Sequence, residues 1–277
     1  MSEARFGLGD AASPRILAVA NQKGGVGKTT TAINLGTALA AVGEDVLIID
    51  LDPQGNASTG LGIARRGGQK STYHVLMGEA RLGDVIIESG IPRLHCAPST
   101  MDLLGAELEL AAIDRKTYRL ADAIRTMADL GDPRRTYSYI LVDCPPSLNL
   151  LTINSLSAAD AILVPLQCEF FALQGLSQLL KTVERVKANL NPRLSIQGVV
   201  LTMFDRRNSL SEQVAADVRS VLGDKVYQTV IPRNVRVSEA PSYGKPVLLY
   251  DNACMGSQAY IRLASEVIRR ERDLRAA

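Results

Sequence analysis

The sequence predicts an α/β fold in which a doubly wound, mostly parallel sheet is flanked by helices. Short β-branched apolar runs alternate with longer helical stretches along the 277 residues, which is the pattern of β-α-β units. The runs are apolar throughout instead of alternating with polar residues, as expected for parallel strands that are covered on both faces. We therefore expect a single domain over residues 15–277, preceded by a flexible arm over residues 1–14.

Each predicted strand is a short apolar run that stops at a polar or turn-forming residue. Between the strands lie stretches with helical periodicity, two of which end at Gly43 and Gly223, where helix C-caps are expected. The predicted strands are 15–20, 45–50, 139–144, 161–167, 196–204 and 227–232, and the predicted helices are 30–43, 103–113, 172–190 and 211–223.

Composition is that of an ordinary globular protein, with 46% hydrophobic and 22% charged residues. The first residues lack the apolar core of a signal peptide, and apolar runs stay below the ~20 residues that a membrane-spanning helix needs. The four cysteines are scattered without a CxxC pair. We expect the cysteines to be free thiols in a reducing cytosol, forming neither a cysteine-ligated metal site nor a disulfide framework.

Net charge is only +2, which by itself does not imply a nucleic-acid partner. Its distribution is uneven, because residues 181–277 hold 16 Lys+Arg against 10 Asp+Glu, whereas residues 1–180 hold 15 against 19. The basic excess therefore lies in the C-terminal third, where it is either a solvated surface or a binding surface.

The first predicted strand runs directly into NQKGGVGKTTT and then into a helix, which is the context of a phosphate-binding P-loop. Backbone N–H groups from Gly24 to Thr29 and the helix N-terminus can bind phosphate oxygens. Lys28 is expected to reach the β- and γ-phosphates, and the Thr29 hydroxyl to ligate Mg²⁺. The sequence therefore predicts ATP and Mg²⁺ as ligands, although Gln22 stands where the usual pattern has glycine.

Carboxylates follow two strands, at the edge where an α/β sheet binds its ligands. In YILVDCPPS, Asp143 fits a carboxylate that acts on Mg²⁺ through water. In IIDLDPQGNAS, Asp50 is either a turn cap or a site residue. Asp52 lies further into the loop and is the better candidate for orienting the attacking water near the metal.

Several motifs in order, KGGVGKTT, LDPQGNAST, ILVDCPPS, VLTMFDRRN and VIPRNVRVSEAPSYGKPVLLYD, resemble the ParA/Soj chromosome- and plasmid-partitioning ATPases. The resemblance runs from about Arg15 to about Val267. In this family the P-loop is the deviant Walker A form, in which Gln22 is normal and Lys23 matches the signature lysine. The resemblance implies a homodimer with two ATP molecules between its subunits, where Lys23 reaches the phosphates bound by the partner.

The resemblance also implies roles for individual positions. Asp52 matches the catalytic aspartate and Asp143 the Walker B aspartate, while Pro232 and Asn234 match a segment that contacts the base; an X-Pro turn after a strand remains the alternative. The P-loop residues that match phosphate or Mg²⁺ contacts are Gly24, Gly25, Val26, Gly27, Lys28, Thr29 and Thr30.

For the basic third of the chain, the resemblance implies a surface that binds double-stranded DNA without sequence preference, through Arg206, Arg207 and Arg236. Solvated surface charges remain the alternative for each of these. It further implies slow ATP hydrolysis, stimulation by a ParB-type centromere-binding protein, and a cytoplasmic, nucleoid-associated location.

Three rival readings stay open. The first is a membrane-positioning ATPase like MinD, which needs a basic amphipathic tail. In the tail here, Glu271 interrupts the apolar stripe of Ile261, Ala264, Val267 and Ile268. We therefore expect a packed closing helix and no stable membrane association. The second is a metabolic relative such as a nitrogenase iron protein, and the third is a ParA-like positioner of a protein cargo.

Overall fold

The computed structural model describes residues 13–64, 68–129 and 136–276, and within these residues eight strands form one sheet. The predicted arm over 1–14 lies almost entirely outside the described residues. The strands are β1 (Arg15–Val19), β2 (Val46–Asp50), β3 (Ile87–Glu88), β4 (Leu94–Ala97), β5 (Tyr139–Asp143), β6 (Ala161–Gln167), β7 (Ser195–Phe204) and β8 (Val226–Pro232).

The spatial order of the strands is β3-β4-β2-β5-β1-β6-β7-β8. All neighbouring pairs are parallel except β3 with β4, which is antiparallel. The prediction of a mostly parallel, doubly wound sheet is confirmed, and the six predicted strands end within a residue or two of the observed ones. The prediction missed β3 and β4, because runs of two and four residues are too short to show a periodicity.

Helices cover both faces of the sheet, and all four predicted helices are present. Gly43 and Gly223 have positive φ of 98° and 53° just after their helices, as the C-cap prediction requires. The helices are α1 (Lys28–Ala41), α2 (Asn56–Gly60), α3 (Thr72–Met77), α4 (Leu82–Val85), α5 (Leu103–Ala111), α6 (Arg119–Asp129), α7 (Leu150–Ala158), α8 (Ala172–Asn189), α9 (Ser209–Leu222), α10 (Val235–Glu239), α11 (Val247–Tyr250) and α12 (Met255–Ala276).

The strand order sets the position of the site. Since β5 lies between β2 and β1, the register places Asp143 beside Asp50 on one side and beside Val19 on the other. β1 leads into the P-loop, so two strand-end carboxylates and the glycine loop meet at one edge of the sheet. This is the edge at which open parallel sheets bind ligands.

The closing helix α12 packs against α1 and β8, as predicted. Leu263 and Val267 are fully buried on it. Glu271, which interrupts the predicted stripe, is also buried, and its Oε1 accepts a hydrogen bond from Arg15 Nε at 2.9 Å. The apolar stripe of α12 therefore packs within the domain. Across the described residues, none of the helices has the length and apolarity needed to span a bilayer.

The four cysteines are free thiols, in agreement with the sequence. Cys144 lies in the core directly after β5, and burial raises its pKa to about 12. It therefore stays a protonated packing residue.

Candidate nucleotide site

The P-loop between β1 and α1 is shaped by two glycines with left-handed backbone. Gly25 and Gly27 have φ of 73° and 87°, a conformation that side chains with a Cβ rarely adopt. Gly27 is also the N-cap residue of α1. The first N–H groups of a helix have no partner within the helix, so the loop and the helix start together present donors suited to an anion.

A backbone carbonyl of β6 and a side chain of β7 hold the loop in place. Asn21 Nδ2 donates to the Pro165 carbonyl at 2.8 Å, and Asn21 Oδ1 accepts from the Lys23 backbone N–H at 3.0 Å. Thr202 Oγ1 donates to the carbonyl of the buried Val26 at 2.8 Å. The loop is therefore preorganised before any phosphate binds.

Lys28 is buried under the loop, and its Nζ donates to the carbonyl of Lys23 at 2.9 Å. Burial lowers the pKa of Lys28, whereas the charges of Asp143 and Asp52 favour its protonated form. Its ammonium group thus points into the loop that is expected to hold phosphate.

Asp143 is the most unusual carboxylate of the site, because its side chain is 0% exposed. Neither of its oxygens has a hydrogen-bond partner among the described residues. Burial, followed by the charge of Asp50, raises the pKa of Asp143 well above its usual range, whereas the nearby Thr29 hydroxyl lowers it. A buried carboxylate without a donor is costly unless a cation compensates it. The pair of Asp143 and Thr29 therefore fits a hard cation such as Mg²⁺.

Asp50 holds the loop that follows β2. Its Oδ1 accepts the Asp52 backbone N–H at 3.1 Å, and its Oδ2 accepts the Ser58 N–H and hydroxyl, both at 3.3 Å. Burial raises the pKa of Asp50 to about 6. Of the two roles left open by the sequence, these contacts are those of a turn cap.

Asp52 lies on the loop that Asp50 shapes. Its Oδ1 accepts the Gln54 N–H at 2.9 Å, and its backbone carbonyl accepts the Ser99 hydroxyl at 2.6 Å. Ser99 comes directly after β4, the strand that the sequence analysis missed, so no signal pointed to it. The carboxylate is buried and held close enough to Lys28 to affect its pKa.

Lys23 forms an ion pair between its Nζ and Glu169 Oε2 of the same chain. Glu169 was missed in the sequence, although it lies two residues after the predicted strand 161–167, just as Asp52 lies two residues after the predicted strand 45–50. A carboxylate just past the carboxyl end of a parallel strand is the signal that would have found it.

A pocket of about 160 Å³ opens beside the loop. Gly27 and Thr30 line it together with Pro232 and Asn234, the two residues predicted to contact the base. Asn234 also accepts the Val237 N–H at 3.3 Å as the N-cap of α10. The fold thus brings the predicted base segment next to the predicted phosphate loop.

The three predicted DNA-binding arginines lie past the ends of β7 and β8, which are joined by the hydrogen bond from Arg233 N to Phe204 O at 3.1 Å. Arg206 and Arg207 lie on the loop after β7, and Arg236 lies on α10. Arg206 is exposed. Arg207 is 89% exposed and pairs with Asp205, and Arg236 pairs with Glu239 at 3.0 Å. Two of the three are therefore already bound to acidic neighbours.

Comparison with known proteins agrees with this geometry. A family described as an AAA domain matches residues 14–196. The chromosome partitioning protein ParA of Caulobacter vibrioides (strain NA1000 / CB15N) is 65% identical, covering 95% of this chain and 97% of the relative. The sporulation initiation inhibitor protein Soj of Bacillus subtilis (strain 168) is 49% identical, covering 91% and 98%.

Solved structures agree in fold. Cobyrinic acid a,c-diamide synthase from Mycobacterium smegmatis with bound ADP and magnesium has a TM-score of 0.79 and 34% identity, covering 94% of this chain and 96% of that chain. The cell division ATPase MinD of Pyrococcus furiosus has a TM-score of 0.75 and 26% identity, covering 92% and 98%. The motifs, the sheet order and the close relatives together show that this chain belongs to the ParA/Soj family of chromosome-partitioning ATPases.

Proposed function

We propose that this chain is an ATP-driven switch that partitions chromosome or plasmid origins. It binds ATP with Mg²⁺, closes into a homodimer, binds DNA without sequence preference, and is released when ATP is hydrolysed. The observation that carries the proposal is the buried, unpartnered carboxylate of Asp143 beside Thr29 at the mouth of the P-loop. Such a carboxylate is compensated by Mg²⁺ that arrives with a nucleotide.

The P-loop backbone holds the phosphates, and Lys28 turns its Nζ from the Lys23 carbonyl to a phosphate oxygen. Thr29 and Asp143 hold Mg²⁺, which supplies positive charge to the phosphate oxygens. The segment of Pro232 and Asn234 contacts the base. A relative of known structure carries ADP and magnesium, which supports this assignment.

Asp52 orients the attacking water. Its backbone is held by Ser99 and its carboxylate by the Gln54 N–H, so the side chain is positioned before substrate binds. Hydrolysis is slow without a partner and is stimulated by a ParB-type centromere-binding protein, as the resemblance to the ParA/Soj family implies. A switch that must persist in its ATP state cannot hydrolyse ATP quickly, so the slow hydrolysis step sets the lifetime of that state.

Closure places Lys23 on the phosphates of the second subunit and brings both sets of DNA arginines to one side. Contacts of Arg206, Arg207 and Arg236 with DNA phosphates release counterions, so binding weakens as salt rises. The ATP state is therefore nucleoid-associated and the ADP state is free in the cytoplasm.

The test is binding to a random-sequence duplex with ATP, ADP or no nucleotide, across a salt series. We expect binding with ATP alone, a decrease with salt, and loss of binding in both Lys23→Gln and Arg236→Glu. Arg185→Glu is the matched control. α8 starts at the ligand edge of the sheet, and Arg185 lies near the other end of this helix, where it is exposed at the opposite edge of the sheet. Equal binding in every nucleotide state would contradict the switch.

A further inference from the structure

The ion pair between Lys23 and Glu169 joins two residues that are 146 positions apart. The two side chains remain 40% and 45% exposed, so the pair lies at the surface next to the P-loop. A lysine held by a carboxylate of its own chain is not available to phosphates on another chain.

Both members of this pair are positioned by β6. The turn after β6 is closed by hydrogen bonds from Glu169 N to Gln167 O and from Ala172 N to Glu169 O, both 2.9 Å. Lys23 is held through Asn21, whose amide donates to Pro165 in the same strand. The contact is therefore built by the backbone and is present before a second chain approaches.

We propose that Glu169 is a positioning residue that holds Lys23 on its own chain in the monomer, so that the dimer closes only when this pair opens. This role rests on the proposed function, in which Lys23 crosses to the nucleotide of the partner. ATP has a γ-phosphate that ADP lacks and therefore carries more negative charge. ATP thus competes better than ADP with the single carboxylate of Glu169 for the Lys23 ammonium group. The pair therefore suppresses closure in the ADP and nucleotide-free states.

The size of the effect follows from the exposure of the pair. An exposed ion pair changes an equilibrium constant by a factor of about 1.4 to 5. Two such pairs open for each dimer that forms, so removing Glu169 should lower the dimer dissociation constant by about 2- to 30-fold. The difference should shrink at high salt, because screening weakens exposed pairs.

The experiment compares Glu169→Gln with the unmodified chain by sedimentation, with Mg²⁺ and a nonhydrolysable ATP analogue, at low and high salt. We expect tighter dimerisation in Glu169→Gln, an increase of the dimer with ADP as well, and values close to the unmodified chain in Glu169→Asp. The monomer should lose only a little thermal stability, no more than one exposed ion pair contributes, since both side chains are exposed. Glu184→Gln is the matched control, because it removes the same charge from an exposed position on α8.

A double variant shows whether Glu169 acts through Lys23. In the Lys23→Gln background, the additional Glu169→Gln change should have no effect on dimerisation. Equal dissociation constants for Glu169→Gln and the unmodified chain, or weaker dimers in the variant, would overturn the role of Glu169 alone. Failure of the unmodified chain to dimerise with the ATP analogue would overturn the proposed switch, and this role with it.

Discussion

At the scale of single residues, two of the buried carboxylates of the site, Asp50 and Asp143, have opposite surroundings. Asp50 accepts three hydrogen bonds from its own loop, whereas Asp143 has no partner for either oxygen among the described residues. Both carboxylates have a raised pKa because of burial. Burial thus makes the charged form of Asp143 costly, and this cost is expected at a position that serves a ligand instead of the fold.

We predict that Asp143→Asn stabilises the nucleotide-free protein at pH 7.5, because it removes a buried carboxylate that accepts no hydrogen bond and whose pKa is raised by burial. The sign follows from linkage. A carboxyl group with a raised native pKa keeps a proton that the unfolded chain has already released, so the free energy of unfolding falls as pH rises. For Asp50 this fall extends from about pH 4, the usual pKa of an aspartate, to its native pKa of about 6. Thermal unfolding by circular dichroism at pH 5 and pH 8 checks both statements.

The exposed Asp224→Asn serves as the control and should change stability little at either pH. With Mg²⁺ and ATP present the order should reverse, since only the unmodified chain gains stability from binding the ligand. A nucleotide-free Asp143→Asn protein that is less stable at pH 7.5 would contradict the interpretation of this charge as uncompensated.

Asp52→Asn should slow ATP hydrolysis by about 10²–10⁴-fold while nucleotide affinity stays within a few-fold. The amide can still accept the Gln54 N–H, and Ser99 still holds the backbone, so geometry is kept and basicity is lost. Single-turnover hydrolysis and a nucleotide titration measure the two quantities. Unchanged hydrolysis would move the water-orienting role to another residue.

At the scale of elements, two loops at the ligand edge of the sheet meet through a pair of glycines. Gly62 follows α2, and Gly244 follows the short 3₁₀ turn that comes after α10. Both have left-handed backbone, with φ of 71° and 60°, and a Cβ built on Gly62 would lie 2.7 Å from the Gly244 carbonyl oxygen. This contact connects the segment after Asp52 with the segment after Arg236.

Gly62→Ala should lower the free energy of unfolding by at least about 1–3 kcal/mol, through backbone strain and the clash with Gly244. Gly90→Ala is a matched control, because Gly90 has a φ of 75° with nothing near the added Cβ. Urea denaturation of the two variants separates strain, which both share, from the clash. Equal destabilisation in both would show that the contact with Gly244 contributes nothing.

At the scale of the whole molecule, the basic excess of the C-terminal third is partly neutralised where it meets the ligand edge. Arg207 donates two hydrogen bonds to the Asp205 carboxylate, and these lower the pKa of Asp205 to about 2. Asp205 is therefore ionised at physiological pH, and in the proposed DNA complex it would compete with DNA phosphates for the same arginine. Net charge alone would then overestimate the attraction of this surface for DNA.

Asp205→Asn should raise the affinity of the ATP state for random-sequence DNA by roughly two- to fivefold, because it removes this competitor. Arg207→Ala should lower affinity and reduce the slope of log affinity against log salt by about one. Fluorescence anisotropy across a salt series checks both, with Arg185→Ala as the control. A decrease in affinity in Asp205→Asn would show that the pair positions Arg207 instead of competing for it.

The sequence by itself determined the P-loop, the six longer strands and the strand-end carboxylates. These features depend on local rules: glycine permits the left-handed turns, β-branched apolar runs form buried strands, and the carboxyl ends of parallel strands share an edge. The sequence did not predict β3 and β4, nor the role of Ser99 after β4, because runs of two and four residues are too short to show a periodicity.

Only the tertiary structure decided which residues meet. Lys23 pairs with Glu169, Arg15 with Glu271 across 256 positions, and Asp143 lies beside Asp50 because β5 inserts between β1 and β2. Long-range partners depend on strand order and helix packing, which no local pattern encodes. The chemistry of the loop can therefore be read from sequence, whereas the contact that holds Lys23 depends on how the strands are arranged in space.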